Sequence, residues 1–376
     1  MAEIPSLLPN SSGFETTYGN EARDALDYLA WFKKQFDRQL FSFLDQKKKE
    51  ASEIDPQTQD LVGEIIRFGQ NGGKRIRPAF MYAGYISSGG QAHEAILFAT
   101  LSVELLHTFA LIHDDIMDKS DLRRGQLTTH RQFTKLHQLK NLRGKREDFG
   151  LAAAILAGDL SYSFAEEIFT EAPFPQERVR RARYFFDQMK TQVVYGQYLD
   201  VLGGYKETLT EDEVLKILEY KTAKYTVERP LHLGAMLAGA DYQILEAFSR
   251  YAIPLGQAFQ IQDDILGTFG SEKEIGKPAD SDIKEGKKTL LVVKAMELAS
   301  QKNKNALKSL VGKPDVTKDE IEKVRKIIEE TGSLDYCVKL SRELLRQAKE
   351  VVTGAKLKPE GKNYLIAAAS YLETRI

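Results

Sequence analysis

Two short segments of the chain resemble each other, and each carries a pair of adjacent aspartates. The first reads IHDDIMD at residues 112–118 and the second IQDDILG at residues 261–267. Adjacent carboxylates among branched apolar side chains are costly to bury unless a cation neutralises them. Their oxygens suit hard divalent cations, above all Mg²⁺. The two segments are therefore predicted to face each other across a cleft and to bind Mg²⁺ with a phosphorylated substrate.

The first segment has carboxylates at helical spacing. On an ideal helix, Asp114, Asp118 and Asp121 fall within about 60° of one another, and His107 lies on the same stripe. Carboxylates stacked in this way repel one another unless a metal binds between them. A lone pattern of this kind could equally be a solvated acidic face. The apolar run before it, residues 101–112, and the two arginines and glycine after it favour a binding site.

Hydrophobic residues recur with a period of 3.6 through most of the chain, and the alternation typical of strands is missing. Pro230 and Pro254 are expected to cap or kink helices, residues 267–288 and 312–317 to be loops, and residues 138–149 to be an exposed basic insertion. Helices are predicted at about 21–50, 56–71, 75–88, 92–119, 128–140, 150–171, 175–202, 210–223, 226–239, 242–267, 287–301, 318–331, 334–353 and 360–374.

Length and composition limit the class of protein. The 376 residues are 42% hydrophobic and 28% charged, and 53 basic against 54 acidic residues give no bulk attraction to nucleic acid. A single cysteine, Cys337, excludes an intramolecular disulfide and suits a reducing compartment. No signal peptide is evident, and no apolar run approaches the roughly 20 residues of a transmembrane helix. We expect a cytoplasmic protein with a flexible N-terminus at residues 1–20 and a single domain at 21–376.

Cationic residues cluster at three places where a phosphate could bind. These are GGKRIRP at residues 72–78, KTAK at 221–224, and the stretch from GKP at 276–278 to GKKT at 286–289, which also contains Asp282. Glycines allow close approach of the backbone to a ligand, and helix N-termini favour anions. Each cluster alone is more typical of a solvated surface. Together they could bind diphosphate beside the two acidic segments.

These motifs, taken together, resemble the trans-isoprenyl diphosphate synthase (polyprenyl synthetase) family. The matching segments are GGKRIRP, ELLHTFALIHDDIMDKSDLRRG, YKTAKYT, and FQIQDDILGTFG followed by GKPADSDIKEGKKT, in the order found in the family and within about residues 70–290. The resemblance implies the all-α isoprenoid synthase bundle, with helices around a deep central cavity and two facing aspartate-rich motifs. It also implies a homodimer.

The resemblance assigns a role to each matching residue. Metal binding falls to Asp114, Asp115 and Asp118 in the first motif and to Asp263 and Asp264 in the second, which together would hold Mg²⁺ on the allylic diphosphate. The allylic diphosphate, which leaves in the reaction, would be contacted by Arg123, Lys221 and Lys277. Gln260 would lie near the allylic carbon. The diphosphate of isopentenyl diphosphate would be bound by Lys74, Arg77, His107 and Arg124. Thr222 and Gln197 resemble residues that line the same cavity.

The implied reaction is a prenyl transfer. Metal ions and cationic side chains polarise the allylic C–O bond, diphosphate leaves, and the double bond of isopentenyl diphosphate attacks the resulting cation. The second motif departs from the family pattern because Gly267 stands where many members have a third aspartate.

By resemblance, the residues just before the first motif, Phe109 and Ala110, form the floor of the cavity and so limit product length. The helical wheel does not derive this role, because it turns Phe109 about 140° from the aspartate stripe. We expect a short-chain product, geranylgeranyl diphosphate, with farnesyl diphosphate or a mixture as the alternative.

Two other functions remain open. A terpene cyclase would ionise a single substrate and would have no use for Lys74, Arg77 and His107. A non-catalytic partner subunit would be expected to lose aspartates, and both pairs are intact.

Overall fold

The computed structural model describes residues 18–270, 281–313 and 315–375, and this part of the chain is almost entirely helical. Most of the predicted flexible N-terminus and Lys277 lie outside the described residues. The elements are α1 (Tyr18–Ile54), α2 (Gln59–Gln70), α3 (Ile76–Ser87), α4 (Glu94–Met117), β1 (Leu122–Arg123), β2 (Gln126–Leu127), α5 (Thr129–Leu139), α6 (Arg146–Thr170), α7 (Gln176–Tyr205), α8 (Glu211–Ile217), a π-helical segment (Leu218–Glu228), α9 (Arg229–Ala238), α10 (Tyr242–Phe269), α11 (Ser281–Glu285), α12 (Leu290–Leu298), α13 (Gln301–Leu310), α14 (Lys318–Glu330), α15 (Ser333–Gly354) and α16 (Pro359–Glu373).

The all-α prediction is confirmed, but several boundaries were wrong. The basic insertion is shorter than predicted, because α5 extends to Leu139 and α6 begins at Arg146. Within the predicted loop 267–288, α10 continues to Phe269 and the single-turn helix α11 forms. Helix α13 was missed because its sequence QKNKNALKSL is mostly polar and offers few apolar residues from which to read a helical period. The two-residue strands β1 and β2 are too short to leave an alternating pattern.

A continuous helical path replaces the break that was predicted between residues 223 and 226. Helix α8 begins with a capping box formed by Thr210 and Glu213, and the chain continues through the π-helical segment into α9, where Pro230 occupies the first turn. Because proline has no backbone N–H, one carbonyl of the preceding turn lacks its helical donor at this junction. Pro254 lies inside α10.

Two glycines let neighbouring helices approach the π-helical segment closely. A Cβ atom at Gly196 of α7 would lie 2.5 Å from the backbone nitrogen of Lys221, and one at Gly256 of α10 would lie 2.4 Å from the Cα of Ala223. No side chain fits at such distances. The segment that carries the KTAK motif is thereby clamped between α7 and α10.

Helix α4 carries the first aspartate motif at its C-terminal end and runs through the main core. It is antiparallel to α6, because the Ser161 hydroxyl donates to the Leu105 carbonyl (2.8 Å) while the His113 Nε2 lies 3.3 Å from the Ile155 carbonyl. Among the described residues α4 alone is long and apolar enough to cross a bilayer, contrary to our expectation, with a window of mean hydropathy 1.9. Since 61% of that window is buried inside the fold, α4 has the surroundings of a core helix.

Candidate active site

A cavity of about 1070 Å³ opens where the C-terminal parts of α4, α7 and α10 meet the N-terminus of α3. It brings together residues that are far apart in the sequence. Its walls include many of the residues that the sequence singled out, namely Lys74, Arg77, His107, Asp118, Arg124, Lys221, Thr222, Gln260, Asp263 and Asp264.

In the first motif, the neighbouring arginine already engages two of the aspartates. The Arg123 Nε donates to both carboxylate oxygens of Asp115 (2.8 and 3.0 Å), and its Nη2 lies 3.4 Å from Asp114. The Asp115 side chain is 1% exposed, so this bidentate pair supplies the countercharge that its burial requires. Asp115 and Arg123, like Asp114 itself, are not among the residues that line the cavity, and the pair supports Asp114 from within the fold.

Asp114 also links the first motif to α7 and to the KTAK segment. Its Oδ1 accepts a hydrogen bond from the Gln197 amide (2.9 Å) and lies 3.7 Å from the Lys221 ammonium, which pairs with Asp200 at 2.5 Å. Asp118, one turn later, faces the cavity, where burial and then the nearby Asp114 raise the pKa of its carboxyl to about 6. The acidic groups are thus close enough to repel one another.

The expected carboxylate stripe does not extend to Asp121. Helix α4 ends at Met117, and the chain turns at Lys119, whose φ of 54° is left-handed. Asp121 consequently points away and pairs with Arg131 at 2.6 Å. The ideal wheel failed because it assumed a helix that the chain had already left.

In the second motif, each aspartate has a different partner. Asp263 pairs with Arg375, next to the last residue of the chain, at 2.6 Å. The carboxylate of Asp264 accepts a hydrogen bond from Gln260 (3.0 Å), whose amide oxygen accepts one from Thr222 (3.0 Å). Burial and then Asp282 raise the pKa of Asp264 well above its ordinary value. This chain of hydrogen bonds joins the second motif to the KTAK segment.

The glycine that replaces the third aspartate of the second motif makes room for another carboxylate. A Cβ atom at Gly267 would lie 2.6 Å from Asp282 Oδ2. Asp282, at the start of α11, is also near Lys287, whose ammonium lies 3.5 Å from its Oδ1. The acidic platform on α10 is therefore completed by a residue from α11.

We predict that Gly267→Ala separates function from stability. Alanine favours a helix by about 1 kcal/mol over glycine, while its methyl group would push the flexible Asp282 carboxylate aside. The melting temperature should not fall, but the Mg²⁺ concentration needed for half-maximal binding of diphosphate should rise about tenfold, roughly the effect of displacing one supporting ligand. Gly354→Ala is the matched control, because a Cβ atom there meets nothing within 4 Å. An unchanged Mg²⁺ requirement in Gly267→Ala would contradict the role of Asp282.

A second group, in which three cations surround His107, lines the same cavity. Arg77 donates from Nη1 to the Nε2 of His107 (3.0 Å), and its guanidinium lies 4.6 Å from the centre of the Tyr225 ring. Arg124, held at a left-handed φ of 53°, lines the same wall. Lys74 completes the group and forms no ion pair or hydrogen bond with the described residues. These cations form a cradle of a size and charge suited to one diphosphate.

His107 is held neutral in this cradle. Burial and then the charges of Arg77, Arg123 and Arg124 lower the pKa of its imidazole well below 6.5. Since arginine only donates hydrogen bonds, Nε2 must accept and the proton resides on Nδ1. The Nδ1–H of neutral His107 points to the Tyr225 hydroxyl, 3.5 Å away.

We predict that His107 does not titrate between pH 5.5 and 8. Protonation would place a further positive charge among three arginines and break the bond that Nε2 accepts from Arg77. Imidazole ¹⁵N chemical shifts, assigned with a His107→Gln variant, should show the Nδ1–H tautomer across this range. Protonation with a midpoint near pH 6.5 would contradict it.

Phe109, expected at the cavity floor, packs instead against two other rings. The centres of the His113 and Tyr162 rings lie 4.7 and 5.2 Å from that of Phe109. Phe109 and Ala110 are partly buried against the main core and are not among the residues that line the cavity as described. Their effect on product length stays a prediction.

The sequence did not single out several residues that the structure brings to the site. Asp200 pairs with Lys221, Tyr225 lies under Arg77, and Arg375 pairs with Asp263. Tyr225 stands within the YKTAKYT motif, so helical spacing could have found it. Arg375 lies more than 100 residues from Asp263 and left no signal.

The donor set fits Mg²⁺. Asp114, Asp118, Asp263, Asp264 and Asp282 supply only carboxylate oxygens. Burial, and then the neighbouring carboxylates, raise the pKa of Asp118 and Asp264, and a bound cation would relieve both effects. Within the described ranges, no three acidic, histidine or cysteine side chains gather closely enough to form a metal site by themselves. Mg²⁺ commonly binds through one or two carboxylates together with substrate phosphates.

The all-α bundle is the fold of solved isoprenyl diphosphate synthases. The family model "Polyprenyl synthetase" matches residues 59–329, and the chain belongs to this family.

The similar proteins carry consistent names. A geranylgeranyl diphosphate synthase of Methanosarcina mazei is 32% identical over 345 residues, which cover 89% of this chain and 99% of that protein. A geranylgeranyl diphosphate synthase of Sulfolobus acidocaldarius is 36% identical over 280 residues, which cover 74% of this chain and 79% of that protein. The structure is also similar to a crystal structure of geranylgeranyl pyrophosphate synthase from Corynebacterium glutamicum, complexed with isoprenyl diphosphate and magnesium. That chain is 34% identical, with a TM-score of 0.87, and the match covers 92% of this chain and 99% of that one.

Proposed function

We propose that this protein is a Mg²⁺-dependent prenyltransferase that condenses isopentenyl diphosphate with an allylic diphosphate to form geranylgeranyl diphosphate. The observation that carries the proposal is that one cavity is lined both by acidic side chains of the two aspartate motifs and by a separate group of cationic side chains. The acidic platforms of α4 and α10 suit a metal-bound diphosphate, and the cradle around Arg77 suits one that needs no metal. Membership of the polyprenyl synthetase family supports the same reaction.

The acidic platforms would receive the allylic substrate. Asp114, Asp118, Asp263 and Asp264 are the residues that would hold Mg²⁺, with Asp115 and Asp282 in support. When bound, Mg²⁺ neutralises the charge that develops on the leaving diphosphate. Lys221, held beside Asp114 and Asp200, would add a positive charge at the same place. We include Lys277 here by resemblance to the family.

The cradle would position the second substrate. Lys74, Arg77, His107 and Arg124 would bind the isopentenyl diphosphate, so that its double bond lies beside the allylic carbon. Gln260 and Thr222 connect the second motif to the KTAK segment near that point. A cyclase would not need this cradle, so the arrangement favours a two-substrate reaction.

The proposal includes a single catalytic domain at residues 21–376 that forms a homodimer in the cytoplasm. Helix α7 presents large apolar side chains that are more than half exposed in the single chain, including Val194, Tyr195 and Tyr198, and α6 adds Leu156. Contiguous exposed apolar surface of this kind commonly marks a protein interface. A reducing compartment suits Cys337, which is buried and unpaired. Sedimentation velocity would test the dimer.

The reaction is tested directly by supplying substrates. The purified protein would be incubated with Mg²⁺, isopentenyl diphosphate and dimethylallyl, geranyl or farnesyl diphosphate in turn, and the products measured by mass spectrometry. A twenty-carbon diphosphate is expected. A cyclic hydrocarbon would indicate a cyclase, and a fifteen-carbon limit a farnesyl diphosphate synthase. Absence of turnover with every primer would contradict the catalytic proposal.

We predict that Phe109→Ser lengthens the product by at least one five-carbon unit. The substitution removes the ring that contacts His113 and Tyr162 and opens a cavity of about a phenyl group on α4 beneath the first motif. Mass spectrometry of the products would show the change, and Phe98→Ser, which removes an α4 ring that contacts Phe43, is the control. An unchanged chain length in Phe109→Ser would exclude the floor role.

A further inference from the structure

Arg75 is the cation of the GGKRIRP motif that no substrate role uses. Its side chain is 3% exposed, and each of its three guanidinium nitrogens is engaged by the protein. Nε donates to Asp37 of α1 (2.8 Å), Nη1 to Glu104 of α4 (2.6 Å) and Nη2 to the Gly69 carbonyl of α2 (2.7 Å). One side chain thus ties three helices together, and those donors are not available to a ligand.

The backbone around Arg75 adopts conformations that need such an anchor. Gly72 and Gly73 have φ values of 96° and 126°, and Arg75 itself has a φ of 55° immediately before α3. A side-chain-bearing residue adopts the left-handed conformation only when its surroundings enforce it. The three hydrogen bonds supply that enforcement. Arg75 is thereby fixed between the two cradle cations, Lys74 before it and Arg77 two positions after it.

The same network has a buried anion at its centre. Glu104 lies one helical turn before His107 on α4 and is 6% exposed. Besides its bond to Arg75, its charge acts favourably on both Arg77 and Arg124. Without it, the three arginines would face one another with no countercharge from α4. Glu104 therefore holds the cationic wall together before any diphosphate binds.

Glycine at position 73 makes this arrangement sterically possible. A Cβ atom there would lie 3.0 Å from Arg75 Nη1 and 3.4 Å from Arg124 Nη1. Both guanidinium groups therefore lie close to the place where a side chain at position 73 would begin.

We propose that Arg75 and Glu104 are positioning residues for the isopentenyl diphosphate subsite. Arg75 locks the residue 72–77 turn so that Lys74 and Arg77 reach the cavity, and Glu104 balances the charge of the arginines. Neither is proposed to contact the substrate. The inference rests on the proposed function for the identity of the ligand, whereas the anchoring network itself is observed.

The test compares the two substrates in Arg75→Lys and Glu104→Gln. Lysine keeps the charge of Arg75 but lacks the planar fork needed for three partners, and glutamine keeps the shape of Glu104 without its charge. We expect the KM for isopentenyl diphosphate to rise at least tenfold in Arg75→Lys and about fivefold in Glu104→Gln, roughly one lost charged hydrogen bond or less. The KM for geranyl diphosphate should change less than threefold.

Direct binding provides a readout that does not depend on turnover. Titration calorimetry with isopentenyl diphosphate alone should show the same loss of affinity in both variants. Arg229→Lys is the matched control, because Arg229 is similarly buried and bonded, to Gln192 and His232, but does not line the cavity. If Arg75→Lys does not fold, Asp37→Asn removes one anchor and should give a smaller loss in the same direction.

The outcomes separate this inference from the proposed function. Unchanged affinity for isopentenyl diphosphate in a folded Arg75→Lys would overturn the positioning role, as would an equal loss for both substrates. A wild-type protein that binds isopentenyl diphosphate but turns over no primer would overturn the proposed reaction, while the calorimetric comparison would still decide the role of Arg75.

Discussion

Asp114→Asn is expected to lower kcat/KM by roughly a thousandfold, the scale of losing a metal ligand and an electrostatic contact to a developing charge. Asp114 joins the first motif to α7 and to the KTAK segment, because it contacts Arg123, Gln197 and Lys221. Asparagine has nearly the same shape, so packing should survive. The charge that draws Mg²⁺ and holds Lys221 in place would be lost.

The Mg²⁺ dependence distinguishes this effect from a general loss of structure. The Mg²⁺ concentration for half-maximal rate should rise at least tenfold in Asp114→Asn, while the melting temperature stays within a few degrees. Asp121→Asn is the matched control, since Asp121 pairs with Arg131 outside the cavity, and its activity should stay close to that of the wild type. Equal losses in the two variants would contradict the assignment of the first motif.

Arg77→Met is expected to lower kcat/KM for isopentenyl diphosphate by roughly a hundredfold, because charge-assisted hydrogen bonds contribute about 2 kcal/mol each. The buried Nε of Arg77 has no hydrogen-bond partner in the described structure, and its ring contact with Tyr225 holds the guanidinium at the cavity wall. A diphosphate would supply the acceptors that are missing there. Methionine keeps much of the aliphatic volume and removes every donor.

The loss should fall on one substrate only. Slow hydrolysis of geranyl diphosphate, measured by release of diphosphate without isopentenyl diphosphate, should persist in Arg77→Met, because the acidic platforms are intact. Arg181→Met serves as a control: this α7 arginine donates to the Ala240 carbonyl and does not line the cavity. If hydrolysis and transfer decline together, the two proposed subsites are not separate.

The local sequence was enough to predict much of the fold and many of the site residues. Helical periodicity gave nearly all the larger helices, because burying one face of a helix requires apolar residues at that spacing. It failed at α13, whose sequence is mostly polar, and at the C-terminal end of α4, where a left-handed Lys119 ends the helix and redirects Asp121. A pattern of residues has no information about where a helix stops if no proline or glycine marks the end.

The sequence by itself determined which chemical groups are present: two aspartate pairs, three clusters of cations, and the motif order that places the chain in its family. Tertiary structure decided which of them act together. Asp282 fills the space left by Gly267, Arg375 reaches Asp263 from the end of the chain, and the guanidinium of Arg75 is bonded to three helices. The physical reason is that charge pairing acts through space over a few ångströms, and contacts between distant segments depend on how whole helices pack.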